Sequence, residues 1–204
     1  SFNFPIPPQW ESGDNDMSFE GRIAEKGLEG TVSFPDGNNY SWKGVRAPAL
    51  RAPEKVMWGK QIPLIAESSL AGWTAMGENQ WLVENGILRS PKSGANLVTE
   101  KKFGDFKLHV EFRYPAGSNS GVYLRGRYEV QIADSKGKGP LNGELGGVYR
   151  FIAPSEQVAK DPGQWQTYDI TLIGRMISVV ANGVPIITNQ EIPGITGGAL
   201  DSNE

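Results

Sequence analysis

At 204 residues without a cysteine, the chain is long enough for one sizeable core and excludes disulfides, thiolate zinc sites and cysteine nucleophiles. Its net charge of -3, with lysines and arginines scattered, lacks the basic footprint of a nucleic-acid binder, and no apolar run reaches the ~20 residues of a membrane span. Its 26 glycines and 14 prolines, with no helical period in any window, predict short strands joined by turns.

The first sixty residues differ from the rest. "FPIPPQWESGDNDMS" is rich in proline, glycine and acid, and "FEGRIAEKGLEGTVSF" offers two short runs about Lys26-Gly27. We expect residues 1–60 to form a proline-stiffened arm with a β-hairpin, packed on a core without making one. From residue 61 the strand signals strengthen. "QWLVENGILRS" reads as a strand, an Asn85-Gly86 turn and a second strand. "FKLHVEFRYP" alternates Leu108, Val110, Phe112 and Tyr114 with Lys107, His109, Glu111 and Arg113. Residues 118–135, "SNSGVYLRGRYEVQIADS", read as one strand, apolar at Val122, Leu124, Tyr128, Val130 and Ile132 and polar at Tyr123, Arg125, Arg127, Glu129 and Gln131. The longest irregular segment follows, glycine-rich and ending near Gln164, and we expect it to border a site. "WQTYDITLIG" alternates again, and "RMISVVANGVPIIT" is a hairpin about Asn182-Gly183. Strands at this spacing predict an antiparallel sandwich or barrel over residues 61–204.

If the strand of His109 pairs with the long run, polar faces aligned, then His109, Glu111 and Arg113 lie beside Tyr123, Arg125, Arg127, Glu129 and Gln131. One reading of such a patch is a solvated sheet face whose ion pairs contribute ~0–1 kcal/mol each. The other is a ligand site, because arginine, glutamine, tyrosine and histidine suit planar, oxygen-rich partners better than the lysine, glutamate and threonine usual on a wet face. His109, the only histidine, excludes a multi-histidine metal centre, so a metal would rest on oxygens with at most one imidazole. Trp165 shares a face with Thr167 and Asp169 and is a candidate for stacking on a sugar, or for the core. Asn119 precedes the strand and is placed to shape the loop and reach a ligand.

Several runs in order resemble the 3-keto-disaccharide hydrolase family: "AGW" at 71–73, "WLVENGIL" at 81–88, "LVTEKKFGDFKLHVEFRYPAGSNSGVYLRGRYEVQIADS" at 97–135, "DPGQWQTYDI" at 161–170 and "ANGVPI" at 181–186. The resemblance implies an all-β, antiparallel jelly-roll β-sandwich of the concanavalin A-like lectin/glucanase type, with a sugar held on its concave face. It also implies a secreted bacterial protein, periplasmic or at the cell surface, which suits a chain starting at Ser1 without Met. Members normally run past "GGALDSNE" into a further strand, so a last strand is expected to be missing, and an exposed edge would offer a protein partner or second copy a pairing site.

The chemistry the resemblance implies is eliminative. A ketone at C3 acidifies the C2 proton; a base removes it, the C1 leaving group departs, and water adds afterwards. Such a site needs a base, an enolate stabiliser and help for the leaving oxygen. Glu129 or His109 fits the base, Arg125 or a divalent metal on Glu111 and Glu129 fits the stabiliser, and Glu111 fits an acid; Gln131, Arg113, Tyr123, Arg127, Asn119 and Trp165 complete the candidate binding set. No organic cofactor is implied. Two alternatives stand beside it: a retaining β-glucanase-like glycosidase, and a carbohydrate-binding module without catalysis. The glucanase idea draws on Glu129, Gln131 and Asp134, which partly follow E-x-D-x-x-E, or on Glu111 with Glu129 as acid and base. A calcium-loop spacing from Asp14 to Glu25 is set aside because Phe19 occupies its glycine position, and the glycines between 137 and 147 lack a βαβ context for phosphate.

Overall fold

The computed structural model describes residues 2–5, 16–25, 27–44 and 56–196, with backbone alone at 2–5 and 16. The proline-rich stretch 6–15 with Asp14, Lys26 and the residues 197–204 lie outside the described residues. Two compact units divide the chain, Ser1–Arg51 and Ala52–Glu204.

In the first unit four strands, β1 (Phe2–Pro5), β2 (Asp16–Ala24), β3 (Gly27–Ser33) and β4 (Asn39–Gly44), form an antiparallel sheet in chain order, more than the hairpin its sequence suggested. Met17 and Val32 are buried with Phe19, Phe34 and Trp42 against them, a small apolar cluster of its own.

The second unit is also entirely β and antiparallel among the described residues. It comprises β5 (Trp73–Ala75), β6 (Leu82–Glu84), β7 (Ile87–Arg89), β8 (Leu97–Thr99), β9 (Phe106–Phe112), β10 (Asn119–Leu124), β11 (Tyr128–Ala133), β12 (Gln166–Ile173), β13 (Met176–Ala181) and β14 (Val184–Glu191). Both asparagine-glycine turns fall where the sequence put them: Asn85 and Gly86 have φ of 52° and 73°, and Asn182 and Gly183 of 51° and 83°. One sheet runs β14-β13-β12-β9, while β10 pairs with β11. Their apolar faces close on one core, in which Leu124, Val130 and Ile132 meet Tyr168, Ile170, Leu172, Ile177 and Val179. A two-sheet sandwich with alternating apolar faces is the jelly-roll architecture expected.

Residues 118–135 are not one strand. They fold back at Arg125 and Gly126, both left-handed at φ of 55° and 68°, so Leu124 opposes Tyr128 and Tyr123 opposes Glu129. Alternation survives the reversal because Leu124 and Tyr128 are four positions apart, an even step that keeps both on the core face. An unbroken run of eighteen residues would span about 60 Å, far longer than strands of small domains, and Gly126 marks the break. β9 hydrogen-bonds to β12, with His109 opposite Asp169 and Glu111 opposite Thr167, and not to the β10–β11 hairpin.

The layers are also tied by a polar bond: the buried Tyr168 hydroxyl on β12 donates to the Gln131 carbonyl on β11 at 2.6 Å. The same carbonyl accepts the Gly146 N–H at 2.9 Å, so Tyr168→Phe leaves it satisfied. Urea denaturation of that variant should show a loss of about 0.5–1.5 kcal/mol, one net hydrogen bond.

Candidate active site

The β10–β11 hairpin and the β9–β12 pairing divide the expected site between two sheets. His109, Glu111, Arg113, Trp165 and Asp169 belong to the outer side of the four-stranded sheet; Tyr123, Glu129, Gln131 and Asn119 belong to the outer side of the hairpin.

On the first sheet the register sets His109 Nδ1 2.7 Å from Asp169 Oδ1, with Nε2 3.5 Å from Glu111 Oε1. The Arg113 guanidinium lies over the Trp165 ring, 5.1 Å from its centroid, so that face of the indole is already covered by a cation. The His109, Glu111 and Asp169 side chains are all more than half exposed, at 52%, 66% and 59%, which makes this a wet polar face. The Asp169 hydrogen bond raises the His109 pKa above 6.5; partial burial opposes the rise, and Glu111 adds to it. Because the folded pKa is raised, the stabilisation from this pair is full below about pH 6.5 and disappears as pH rises through the folded value. Asp169→Asn should therefore lower the midpoint of the single histidine, followed by NMR, and should cost stability at pH 6 but hardly at pH 9.

The hairpin's outer side is drier. Glu129 on β11 is half-buried between β10 and the segment 146–149, whose Gly147 carbonyl accepts the Gln131 N–H and whose Tyr149 N–H donates to the Glu129 carbonyl, each at 2.9 Å. The Tyr123 hydroxyl donates to Glu129 Oε2 at 3.0 Å. Burial pushes the Glu129 carboxyl above its ordinary 4.5, and the Tyr123 bond only partly offsets this. Tyr123 in turn is held well above the usual phenol range by burial, by the Glu129 charge and hydrogen bond, and by the phenol of Tyr149. It is a neutral donor at any working pH. Gly121 makes the carboxylate's position possible. A Cβ there would stand 2.2 Å from Glu129 Oε1 and 2.7 Å from its Cγ.

Next along β11, Gln131 is buried with its amide 2.9 Å from that of Asn119. With its nitrogen turned toward acceptors, it donates to the Ser120 carbonyl at 3.1 Å and to Glu129 Oε1 at 3.3 Å. Beyond it opens a cleft of about 410 Å³, bordered by Ser118, Asn119, Gln131, Asp134, Lys138 and Glu144. The glycine-rich irregular segment supplies Lys138, Gly143 and Glu144 to the wall of this cleft.

Other expected positions lie elsewhere. Arg125 sits in the hairpin turn, its guanidinium donating to the Gly174 carbonyl and lying 5.6 Å from the Tyr128 ring centroid, so it braces the fold. Arg127 ends that turn, its carbonyl accepting from the Thr196 N–H at 2.9 Å. Asp134 accepts the Gly117 N–H at 2.8 Å and anchors the loop into β10, which removes it from a glucanase-like pair. Glu111 and Glu129, the alternative acid and base and the proposed metal pair, are in different sheets, and among the described residues no three of His, Cys, Asp and Glu converge in metal-binding geometry. The residues present do not form the expected metal site, and no step is routed through a metal. Sequence reasoning missed Gly121, Tyr149, Lys138 and Glu144. Only Gly121 left a signal, as a glycine inside a strand pattern, which marks close approach.

No helix among the described residues is long and apolar enough to cross a membrane. Residues 60–203 match the family described as the 3-keto-alpha-glucoside-1,2-lyase-like domain. Among solved structures, a candidate glycosyl hydrolase from Parabacteroides distasonis is 29% identical, with a TM-score of 0.61 over 67% of this chain and 68% of that one. A second from the same organism, also a candidate glycosyl hydrolase, is 25% identical with a TM-score of 0.53 over 63% and 71%. A third, 19% identical with a TM-score of 0.51, shares the fold. No curated protein matches the chain. Fold, family and neighbours together define a glycosyl hydrolase-like β-sandwich protein. The chain belongs to the 3-keto-alpha-glucoside-1,2-lyase-like family.

Proposed function

We propose that the protein cleaves 3-keto-glucosides by eliminating the C1 substituent and then adding water, with Glu129 as the base. The observation that carries this reading is the state of Glu129: a half-buried carboxylate, more basic than an ordinary one, beside an amide-lined cleft. A base of raised pKa is what removal of a carbon-bound proton next to a ketone calls for. Glu129 takes the C2 proton, and the electron pair moves into the C3 carbonyl as an enolate. The Asn119 amide, which borders the cleft, is the donor suited to that oxygen, the part earlier given to Arg125. Collapse of the enolate expels the C1 oxygen, which takes a proton from water. Addition of water across the resulting C1–C2 double bond gives the free 3-keto-sugar, so atoms balance as a net hydrolysis.

Direct hydrolysis of an unoxidised glycoside needs two carboxyls ~5–5.5 or ~6.5–9.5 Å apart. The expected partners of Glu129 are elsewhere, Glu111 in the other sheet and Asp134 on the Gly117 N–H. The test is incubation with a 3-keto-glucoside and with its unoxidised parent, with and without chelator, following the released aglycone. Cleavage of the keto-sugar supports the proposal; cleavage of the parent alone refutes it.

A further inference from the structure

We infer that the outer face of the four-stranded sheet is a second binding surface, which holds an extended, uncharged glycan chain along β9 between Trp58 and Trp165. It lies on the opposite side of the core from Glu129 and does not depend on the chemistry proposed there.

Two tryptophans mark its ends. Lys107, His109 and Glu111 point outward on β9 and Arg113 follows just past its end, so the first and last of the row stand about 20 Å apart along the strand direction. Lys107 Nζ lies 5.1 Å from the Trp58 ring centroid, and the Arg113 guanidinium 5.1 Å from that of Trp165. The same device occurs twice, one cation against one indole at each end of the row. Lys160 Nζ also donates to the Trp165 carbonyl at 2.9 Å, which steadies the backbone that carries the second ring. Trp58 is 42% exposed and Trp165 41%, so ring surface remains open at both ends for the C–H face of a pyranose. A single exposed indole is ordinary on a protein surface. Two, each backed by a cation from one row, make a pair of platforms.

Between the platforms the groups match hydroxyls rather than ions. His109 bonds Asp169 at 2.7 Å and approaches Glu111 at 3.5 Å, which holds three polar side chains together. A carboxylate offers about four acceptor sites, so Asp169 and Glu111 keep acceptors for sugar hydroxyls. Two cations and two carboxylates leave the row without net charge when His109 is neutral, and both cations are engaged on rings. A charged polymer therefore meets no complementary excess. The row is straight because it follows one strand, which suits an extended chain rather than a coiled one, and side chains already held in place need little ordering on binding. Such a surface holds the protein on a polymer and takes no part in the reaction.

Calorimetric titration of the whole protein with cellohexaose, xylohexaose and mannohexaose, each beside its disaccharide, tests this; hexagalacturonate is the charged comparison. At least one neutral hexasaccharide should bind about tenfold more tightly than its disaccharide, which is too short to reach both rings. Trp58→Ala and Trp165→Ala should each lower that chain's affinity by about tenfold, the loss usual for a truncated aromatic anchor, and Trp165→Tyr should retain part of it. Glu111→Ala, at an exposed position where substitution hardly affects folding, should weaken the chain by about threefold to tenfold. Asn119→Ala, in the cleft on the other side of the core, should leave its affinity unchanged. No binding of any neutral hexasaccharide, equal affinity for hexasaccharide and disaccharide, or tighter binding of hexagalacturonate would each overturn the inference. So would affinity lost in Asn119→Ala but kept in both tryptophan variants. Aglycone release from a 3-keto-glucoside is scored separately. Without it, but with the tryptophan-dependent binding intact, this surface stands and the elimination chemistry falls.

Discussion

Glu129→Gln should lower kcat for cleavage of a 3-keto-glucoside by about 10² to 10⁴-fold, the usual contribution of a positioned general base, with far less change in substrate binding. Glutamine keeps the shape and an acceptor for the Tyr123 hydroxyl but has no basic electron pair for a C2 proton. The same substitution should stabilise the protein at neutral pH. Burial raises the Glu129 pKa above 4.5, so the charged carboxylate costs folding free energy: the penalty is absent below about pH 4.5 and grows as pH rises through the folded value. Thermal unfolding at pH 4 and pH 7 should show the variant gaining on the wild type only at the higher pH. Loss of activity together with a gain in stability is what a functional group held in an unfavourable setting produces. In the wild type, the acidic limb of kcat/KM should lie above the ordinary carboxylate range for the same reason.

Gly121→Ala should be nearly as damaging to catalysis without touching a reacting atom. The new methyl would fall 2.2 Å from Glu129 Oε1, so the carboxylate must move, whereas the backbone of Gly121 lies outside the left-handed region and accepts alanine. Misplacing a reacting group by about 1 Å can cost 10²-fold, and kcat should fall by that order. Stability should drop by no more than about 1–3 kcal/mol, because what yields is the end of a flexible side chain rather than packed backbone. If Gly121→Ala kept full kcat on a 3-keto-glucoside, the position of Glu129 would not matter to the chemistry.

Much of the fold was legible because period-2 alternation and asparagine-glycine turns are local signals. β6–β7 and β13–β14 fall where their dipeptides put them, and the core faces of β9 and β12 follow from alternation alone. What failed was long-range. The reversal at Arg125-Gly126 was hidden because the core-facing parity is the same on both sides of the turn, so the alternation showed no break. Which strand lies beside β9 is a tertiary fact; sequence proximity favoured the following run, whereas the sheet brings β12 in from more than fifty residues away.

The candidate site was legible to the same degree. Tyr123, Glu129, Gln131 and Asn119 were named and stand together, now as cross-strand neighbours instead of positions along one strand. His109 and Glu111 were assigned to this group through a pairing that does not exist, and their partner is Asp169. Tyr149 and Lys138 come from irregular chain, where no period announces the direction of a side chain.

In the proposed elimination the C2 proton leaves during cleavage, and a 3-keto-glucoside carrying deuterium at C2 reports that step. Elimination predicts slower release of the aglycone from the labelled substrate and a 3-keto-sugar product that has exchanged its C2 deuterium for a solvent proton, faster than in the presence of the Glu129→Gln protein. Aglycone release at an unchanged rate, with the deuterium retained at C2 of the product, would rule out elimination by this protein.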